Sequence, residues 1–463
     1  MTTESRPAPA GDPPAGTAPA VAALLRHRWI ASAEAGADGR VYVRPDPAAL
    51  APTAAPGSLT AEFLDHWGEL YDWTYTSAAQ RHSDDLDLSG WRASDTGLPL
   101  PADHMAQWAD RTVDLVLEGR PDLVLELGCG TGLLTHRLRG RVAGYVGTDV
   151  APHAVETLSA GAPPGTAFVR AAAHEAQGAE VRAALERVGG AGARPDRVVL
   201  NSVTQCFPDL AYLEAVVLGA VALVRPGGAV VVGDVRHAAL LDAYCRWVER
   251  AAAPGADSAE IVRRAAERAR RDDELLVDPA ALAAVAARSP RAVRVSFRAK
   301  TMAADTELTR YRFDAVLTVD APAPEREPRN LDWTELDAGA PLETALGRLL
   351  DGPGPVRVGG FPNAALSPAP GAVTGARLRA AVAGRDACVE LDAADPGLLA
   401  VCAPAAASAR PAAEAAGPGR AHEPLRAFVE RRLAEAARSH LRRELPPGSA
   451  LPPVVVLGAD GPR

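Results

Sequence analysis

Three glycines and two carboxylates in one short stretch carry the first legible chemistry of this 463-residue chain: DLVLELGCGTGLLTHRLRGRVAGYVGTDV, residues 122–150. Gly128, Gly130 and Gly132 let the backbone turn sharply and bring a ligand against bare main chain. Asp149 stands 21 positions after Gly128, at the end of the next apolar run. A carboxylate there can accept hydrogen bonds from both hydroxyls of a ribose. Glu126 lies inside the apolar run 123–127, where a buried carboxylate needs a partner. A dinucleotide fingerprint fits less well, because the third glycine is the fourth residue after the first rather than the fifth. A triphosphate loop fits less well still, since no lysine follows the glycines.

These residues need a scaffold of alternating strands and helices. LVLEL reads as a parallel strand buried on both faces, followed by a helix and a second strand that ends on Asp149. A helix from Ala151 and a strand at 168–170 follow, then AAAHEA, in which Glu175 can meet an adenine amino group. DRVVLNSV (196–203) is a buried strand ending on Asn201 and Ser202, and helix 209–224 stops at Arg225-Pro226-Gly227-Gly228. AVVVGDV (229–235) is a fifth strand. Helices fill 237–288, and VRVSFRAK and YRFDAVLTV alternate like an antiparallel pair. The alternation predicts a doubly wound α/β sheet with its ligand beyond the carboxyl ends of the strands. That rule selects Gly128–Gly132, Asp149, Asn201–Gln205 and Asp234–Arg236 as pocket lining. Ahead of the sheet, Phe63, Trp67, Tyr71, Trp73 and Tyr75 lie on a helical stretch that reads as a hydrophobic cap.

The net charge of −9 and the lack of a dense Lys/Arg stripe argue against a nucleic-acid partner. Lys300 is the single lysine. The five cysteines, 129, 206, 245, 388 and 402, have neither zinc-site nor disulfide-framework spacing, so no metal is expected. No run approaches the length needed to span a bilayer, and the polar, Pro-rich start lacks a signal-peptide pattern. A soluble cytoplasmic protein without a membrane partner is the expectation.

The pattern E-x-G-x-G-T-G at 126–132 resembles motif I of class I S-adenosylmethionine-dependent methyltransferases. Further stretches, SGWRASDTGLPLP, GTDVAPHAV, VVLNSVTQCFP, VRPGGAVVVGDVR, DDELLVDP and ELTRYRFDAVL, are similar to the N-methyltransferase domains embedded in nonribosomal peptide synthetase adenylation domains. The resemblance covers residues from about 65 to 320. It implies a Rossmann-like seven-stranded methyltransferase sheet with a helical N-terminal cap and a small C-terminal α/β appendage. It implies S-adenosylmethionine as cofactor, with Glu126, Gly128, Gly130, Gly132, Asp149, Glu175 and Asn201 binding it. Glu307 would accept an amine proton and Tyr311 orient the amine; the lesser alternative is a Glu307–Arg310 surface pair with Tyr311 as β-sheet filler. Asp95, Gln205, Cys206, Asp234 and Arg236 would contact the acceptor, with a structural ion pair the rival role for the last two. Trp91 and Thr96 lie in a loop that folds over the donor in the family.

The family has tyrosine where Asp95 and Cys206 stand, and asparagine where Thr306 stands, so acceptor recognition is expected to differ. GGFPNAAL (359–366) resembles the family's appendage, and residues 21–50 and 441–463 resemble the two sides of an insertion into an adenylation subdomain. The implied division is 1–57 for a disordered N-terminus and adenylation remnant, 58–320 for the methyltransferase, 321–410 for the appendage and 411–463 for a degenerate remnant. A stand-alone enzyme is expected, N-methylating an aminoacyl or peptidyl carrier-protein thioester of a synthetase in trans. N-, O- or C-methylation of a free small molecule, and non-catalytic docking on a synthetase, remain the alternatives.

Overall fold

Fully buried strands organise the larger of two units in the computed structural model, which describes residues 17–79, 88 and 90–458. That unit runs from Trp67 to His422. Its parallel strands are β1 (Leu123–Leu127), β2 (Gly144–Asp149), β3 (Thr166–Arg170), β4 (Arg197–Asn201) and β5 (Ala229–Arg236). Every residue of β1, β2, β4 and β5 is buried, as helices on both faces of the sheet require. β6 (Val293–Ala299) and β7 (Arg312–Val319) close the set, with β7 antiparallel between β5 and β6. The resulting order, β3-β2-β1-β4-β5-β7-β6, contains the seven strands expected.

The sheet does not end there, which corrects the seven-stranded expectation. Four more strands, β8 (Arg329–Asp332), β9 (Val356–Pro362), β10 (Cys388–Leu391) and β11 (Leu398–Ala403), extend it in the order β10-β11-β9-β8. The join is the pairing of Glu390 on β10 with Arg298 on β6. An edge strand offers unpaired backbone groups, and here residues 321–410 cover them. Arg410 and Pro411 also pair with β6, and Ala421 and His422 pair with Leu276 and Val277. Residues 411–422, grouped by sequence with the C-terminal remnant, therefore return to the main unit.

Helices set the strand ends. Helix α1 (Leu59–Ala79) carries the aromatic stretch, α2 (Ala102–Val116) leads into β1, and α3 (Leu133–Leu138) starts at Gly132. Gly132 sits at φ 88°, a conformation glycine adopts freely. Asp209 caps α4 (Leu210–Leu223) by accepting from the Tyr212 N–H at 2.7 Å. Between β6 and β7, residues Glu307–Arg310 form one helical turn, α5.

The smaller unit joins the residues up to His66 with those from Glu423. Its sheet has Val41–Pro45 at the centre, antiparallel to Ile30–Ala35 and parallel to Val454–Val456. Leu24, Val41 and Val43 from one end and Leu433, Ala437 and Leu441 of helix Pro424–Glu444 from the other are wholly buried. Phe63 meets Phe428 edge-on at 5.4 Å.

Candidate active site

At the carboxyl end of β1 the glycine turn is built against its neighbours. Gly128 and Gly130 have φ of 83° and 50°. A Cβ on Gly128 would lie 2.4 Å from Val203 Cγ2, so the segment after β4 packs directly on the turn. The Gly130 N–H donates to Asp149 Oδ2 at 2.8 Å, and the Ala151 N–H to Asp149 Oδ1 at 2.9 Å. Two backbone amides thus fix the Asp149 carboxylate, and each oxygen keeps a second lone pair for a ligand hydroxyl. Burial pushes the Asp149 carboxyl up, while the amides of Ala151 and Gly130 pull it back down.

The second half of α1 covers this turn. The Asp72 carboxylate accepts from the His153 N–H at 2.9 Å, holding the helix over the residues that follow Asp149. Trp67, Tyr71 and Tyr75, spaced four apart, form a ladder of rings with centroids 5.9 and 5.7 Å apart. The Tyr75 hydroxyl lies 3.0 Å from where a Cβ on Gly130 would be, and Tyr71 meets Cys206 at 3.7 Å. Burial pushes the Cys206 thiol far up, so it stays protonated. Sequence reasoning treated Tyr71 and Tyr75 only as packing; their helical spacing on the side of the glycine turn was the available signal.

Asn201 Oδ1 and Gln205 Oε1 are buried acceptors with no hydrogen-bond partner among the described residues. The Gln205 NH2 donates to the carbonyl and hydroxyl of Ser202, which leaves its oxygen free. Ser202, just past the end of β4, and Asp234, within β5, have φ of 56° and 60°, strained for residues with a Cβ.

Asp234 holds this end of the sheet together. It is 0% exposed and accepts from Trp108 Nε1 at 3.0 Å, Ser202 Oγ at 2.9 Å, Arg312 Nη1 at 2.6 Å and Lys300 Nζ at 3.1 Å. Burial would raise its carboxyl; Arg312 and Lys300 outweigh burial and hold it well below the usual range. Lys300 also donates to Asp314 at 2.6 Å. Arg236 is likewise committed, bidentate to Asp272 at 2.7 and 2.8 Å and to Glu274 at 2.7 Å, with its guanidinium over the Tyr244 ring. These contacts commit the charges of Asp234 and Arg236 to partners inside the protein, the structural ion-pair role that was the rival expectation for both.

Glu307 begins α5 with both oxygens held by one residue from far along the chain. The Ser94 N–H donates to Oε2 at 2.7 Å and the Ser94 hydroxyl to Oε1 at 3.0 Å. Ser94 rides on a short loop closed by an Arg92–Pro99 bridge and anchored by Trp91, whose ring lies 4.7 Å from Trp108. Asp95 is the next residue, half-buried, while Thr96 is exposed. Tyr311 is 7% exposed and packs against Tyr244 and Trp247 at 5.5 and 5.8 Å. Burial pushes the Tyr244 hydroxyl up, with Arg236 and the nearby Ser94 opposing. Glu307 and Tyr311 are therefore linked through Ser94 and Tyr244, two residues that no local spacing marks. The alternative surface pair of Glu307 with Arg310 does not form: Arg310 instead grips Asp305 at 2.5 and 2.6 Å.

Two further expected donor contacts lie differently. Glu175 is exposed and accepts from the Ala172 N–H at 2.8 Å, capping its own turn. Glu126 points into the core, where the Tyr145 hydroxyl donates to it and Thr135 donates to Tyr145 at 2.7 Å. Burial pushes the Glu126 carboxyl up to about 7, with the Tyr145 hydrogen bond opposing and the Asp149 charge adding. The folded state therefore keeps a proton that the unfolded chain loses near the ordinary value of 4.5, and stability falls as pH rises from there to about 7. Glu126→Gln is expected to stabilise by about 3 kcal/mol at pH 8 and by less than about 1 kcal/mol at pH 5. Urea unfolding at the two pH values checks this; equal effects at both would assign Glu126 a role independent of its charge.

A preorganised acid beside a bare glycine turn, under an aromatic cover, suits a nucleoside ligand. Residues 125–230 match the model of a methyltransferase domain family. With that match, sheet and site define an S-adenosylmethionine-dependent methyltransferase whose cofactor the glycine turn and Asp149 fit. The chain is 33% identical over 285 residues to chondramide synthase cmdD of Chondromyces crocatus, across 60% of this chain and 7% of that protein. It is 34% identical over 340 residues to the probable non-canonical nonribosomal peptide synthetase CymA of Salinispora arenicola, across 72% of this chain and 4% of that one. The chain thus spans less than a tenth of the length of either relative. Among solved structures, the N-methyltransferase NodS of Bradyrhizobium japonicum is 15% identical with a TM-score of 0.29, covering 48% of this chain and 98% of that one. No helix among the described residues is long and apolar enough to cross a membrane.

Proposed function

We propose that this methyltransferase methylates the amino nitrogen of an amino acid or peptide held as a carrier-protein thioester in nonribosomal peptide biosynthesis. The observation that carries the reading is Glu307, a buried carboxylate fixed by Ser94 within the Tyr311–Tyr244 cluster. The name of one relative, a probable non-canonical nonribosomal peptide synthetase, supports the carrier-bound acceptor. The smaller unit we read as remnants of an adenylation domain that once surrounded the methyltransferase.

When bound, S-adenosylmethionine supplies a methyl group activated on a sulfonium. The protein's residues supply the rest. The glycine turn and Asp149 hold the nucleoside end, and Asn201 and Gln205 offer acceptors beside it. An amine attacks only when neutral, so Glu307 takes its proton and Tyr311 orients its lone pair. Holding nucleophile and methyl in line, about 3 Å apart, can supply much of the rate. The Tyr71–Tyr75 ladder and the Ser94 loop exclude water from that gap. Asp95 and Cys206 replace two phenols of the family pattern and so set which acceptor fits.

Aminoacyl-loaded carrier proteins incubated with the enzyme and S-adenosylmethionine, followed by mass spectrometry, test the reading. A methyl gain on the amino nitrogen that is lost in Glu307→Gln is expected. Turnover of free amino acids or amines, with loaded carriers untouched, would overturn it in favour of a free small molecule. Ser94→Ala removes one of the two bonds that orient Glu307. It is expected to lower kcat about tenfold with the donor KM unchanged, and Ser94→Thr to restore it. A parallel loss in Ser94→Thr would show that the hydroxyl does not act through Glu307.

A further inference from the structure

A cavity of about 670 Å³, counting its open mouth, lies between the methyltransferase strands and the appended ones. It is walled by the ends of β6 and β7 with α5 on one side and by Asn363, Leu391 and Leu399 on the other. Nothing in the donor site described above uses it, although Arg312 borders both the cavity and the Ser202–Asp234 cluster.

The charges along its wall cancel among themselves. Lys300 is bound by Asp234 and Asp314, Arg312 by Asp234, and Arg310 by Asp305. A charged ligand would find no counter-charge, and its desolvation would go uncompensated. What the wall offers instead is neutral donors. His237 is 3% exposed and its Nδ1 accepts from the Ala239 N–H at 3.2 Å, which places the ring proton on Nε2. That Nε2 is buried with no partner among the described residues. Burial pushes the imidazole down to about 4, so it stays neutral. Asn363, 7% exposed, uses its Oδ1 to accept from the Ala365 N–H at 3.1 Å, leaving its NH2 as the donor. The remaining lining is largely aliphatic, as at Met302, Leu391 and Leu399.

Neutral donors on an aliphatic wall recognise an uncharged chain bearing carbonyl acceptors. We propose that this cavity receives the amide-bearing pantetheine arm on which a carrier-bound acceptor is presented, an inference that rests on the carrier-bound reading above. The appended strands then have a function: they complete a subsite that β6, β7 and α5 form only by half. Thr309 and Arg310 of α5 face the cavity, on the same turn that begins with Glu307, so a seated arm leads toward the proposed base.

Ala364 lines the cavity and is exposed, so Ala364→Trp narrows it without disturbing the core. The test compares three acceptors: an aminoacyl-pantetheine, the same aminoacyl group as an ethyl thioester, and a dipeptidyl ethyl thioester. In Ala364→Trp, KM for the pantetheine substrate is expected to rise about tenfold more than for the ethyl thioester, and His237→Phe to shift the ratio in the same direction. Equal changes for the two aminoacyl substrates would overturn the assignment. A selective rise for the dipeptidyl thioester alone would overturn it too, giving the cavity to the peptide part of the acceptor. Wild-type inactivity toward every thioester would overturn the carrier-bound reading and this inference with it, whereas wild-type turnover with no shift in the variants would overturn this inference alone.

Discussion

Asp149→Ala is expected to weaken S-adenosylmethionine binding by about 100-fold or more, measured by titration calorimetry, while the protein remains folded. Two hydrogen bonds from ribose hydroxyls to an ionised carboxylate contribute roughly 1.5–3 kcal/mol each, and each 1.4 kcal/mol is about tenfold in affinity. The substitution acts a second time through the turn. Without the carboxylate, the amides of Gly130 and Ala151 lose their acceptor and the cradle loses its anchor. Asp149→Asn should fall between wild type and Asp149→Ala, because its Oδ1 can still accept from one amide while its NH2 can accept from neither. A dissociation constant within about threefold of wild type would remove Asp149 from the donor site, since even one such bond exceeds that margin.

Lys300→Met is expected to destabilise the protein by about 3–5 kcal/mol, the effect of leaving buried charge unpaired. Lys300 is the single lysine of the chain, its side chain is 3% exposed, and it lies between Asp234 and Asp314. Methionine matches its volume but removes the cation from two carboxylates, Asp234 fully buried and Asp314 largely so. A lower urea midpoint at an unchanged slope would show the loss; a shift below about 1 kcal/mol would mean that Arg312 alone balances the cluster. The pH dependence has a defined sign. The Asp234 carboxyl is held well below its ordinary 3.8, so its contribution is fully present above that value and is lost only as pH falls below it. In Lys300→Met that protection shrinks, and acid unfolding should begin at a higher pH than in wild type.

The glycine turn and its acid were legible because their geometry is local. The φ values near 80° at Gly128 and Gly132 demand glycine whatever surrounds them, and one strand, one helix and a second strand suffice to bring Asp149 back to the turn. The five parallel strands were legible too, since burial on both faces leaves an apolar run that needs no partner to identify. Glu126 shows where local reading stopped. A buried carboxylate announces a partner but not its direction, and the partner proved to be Tyr145 in the core.

What sequence alone determined, then, is the part of this protein whose physics closes within about thirty residues: the α/β alternation, the glycine cradle, the acid at the end of β2 and the kind of donor they suit. Tertiary structure alone decided the rest, because the deciding contacts join residues distant in the chain. Ser94 reaches Glu307 across 213 positions, and Trp108 reaches Asp234 across 126. Whether Lys300, Arg236 and Asp234 face water or each other depended on desolvation, a property of the assembled sheet and of no single segment. The appended strands make the same point. Nothing in β10 specifies that Glu390 will meet Arg298; that pairing follows from an edge strand left open by β6, and with it came the cavity.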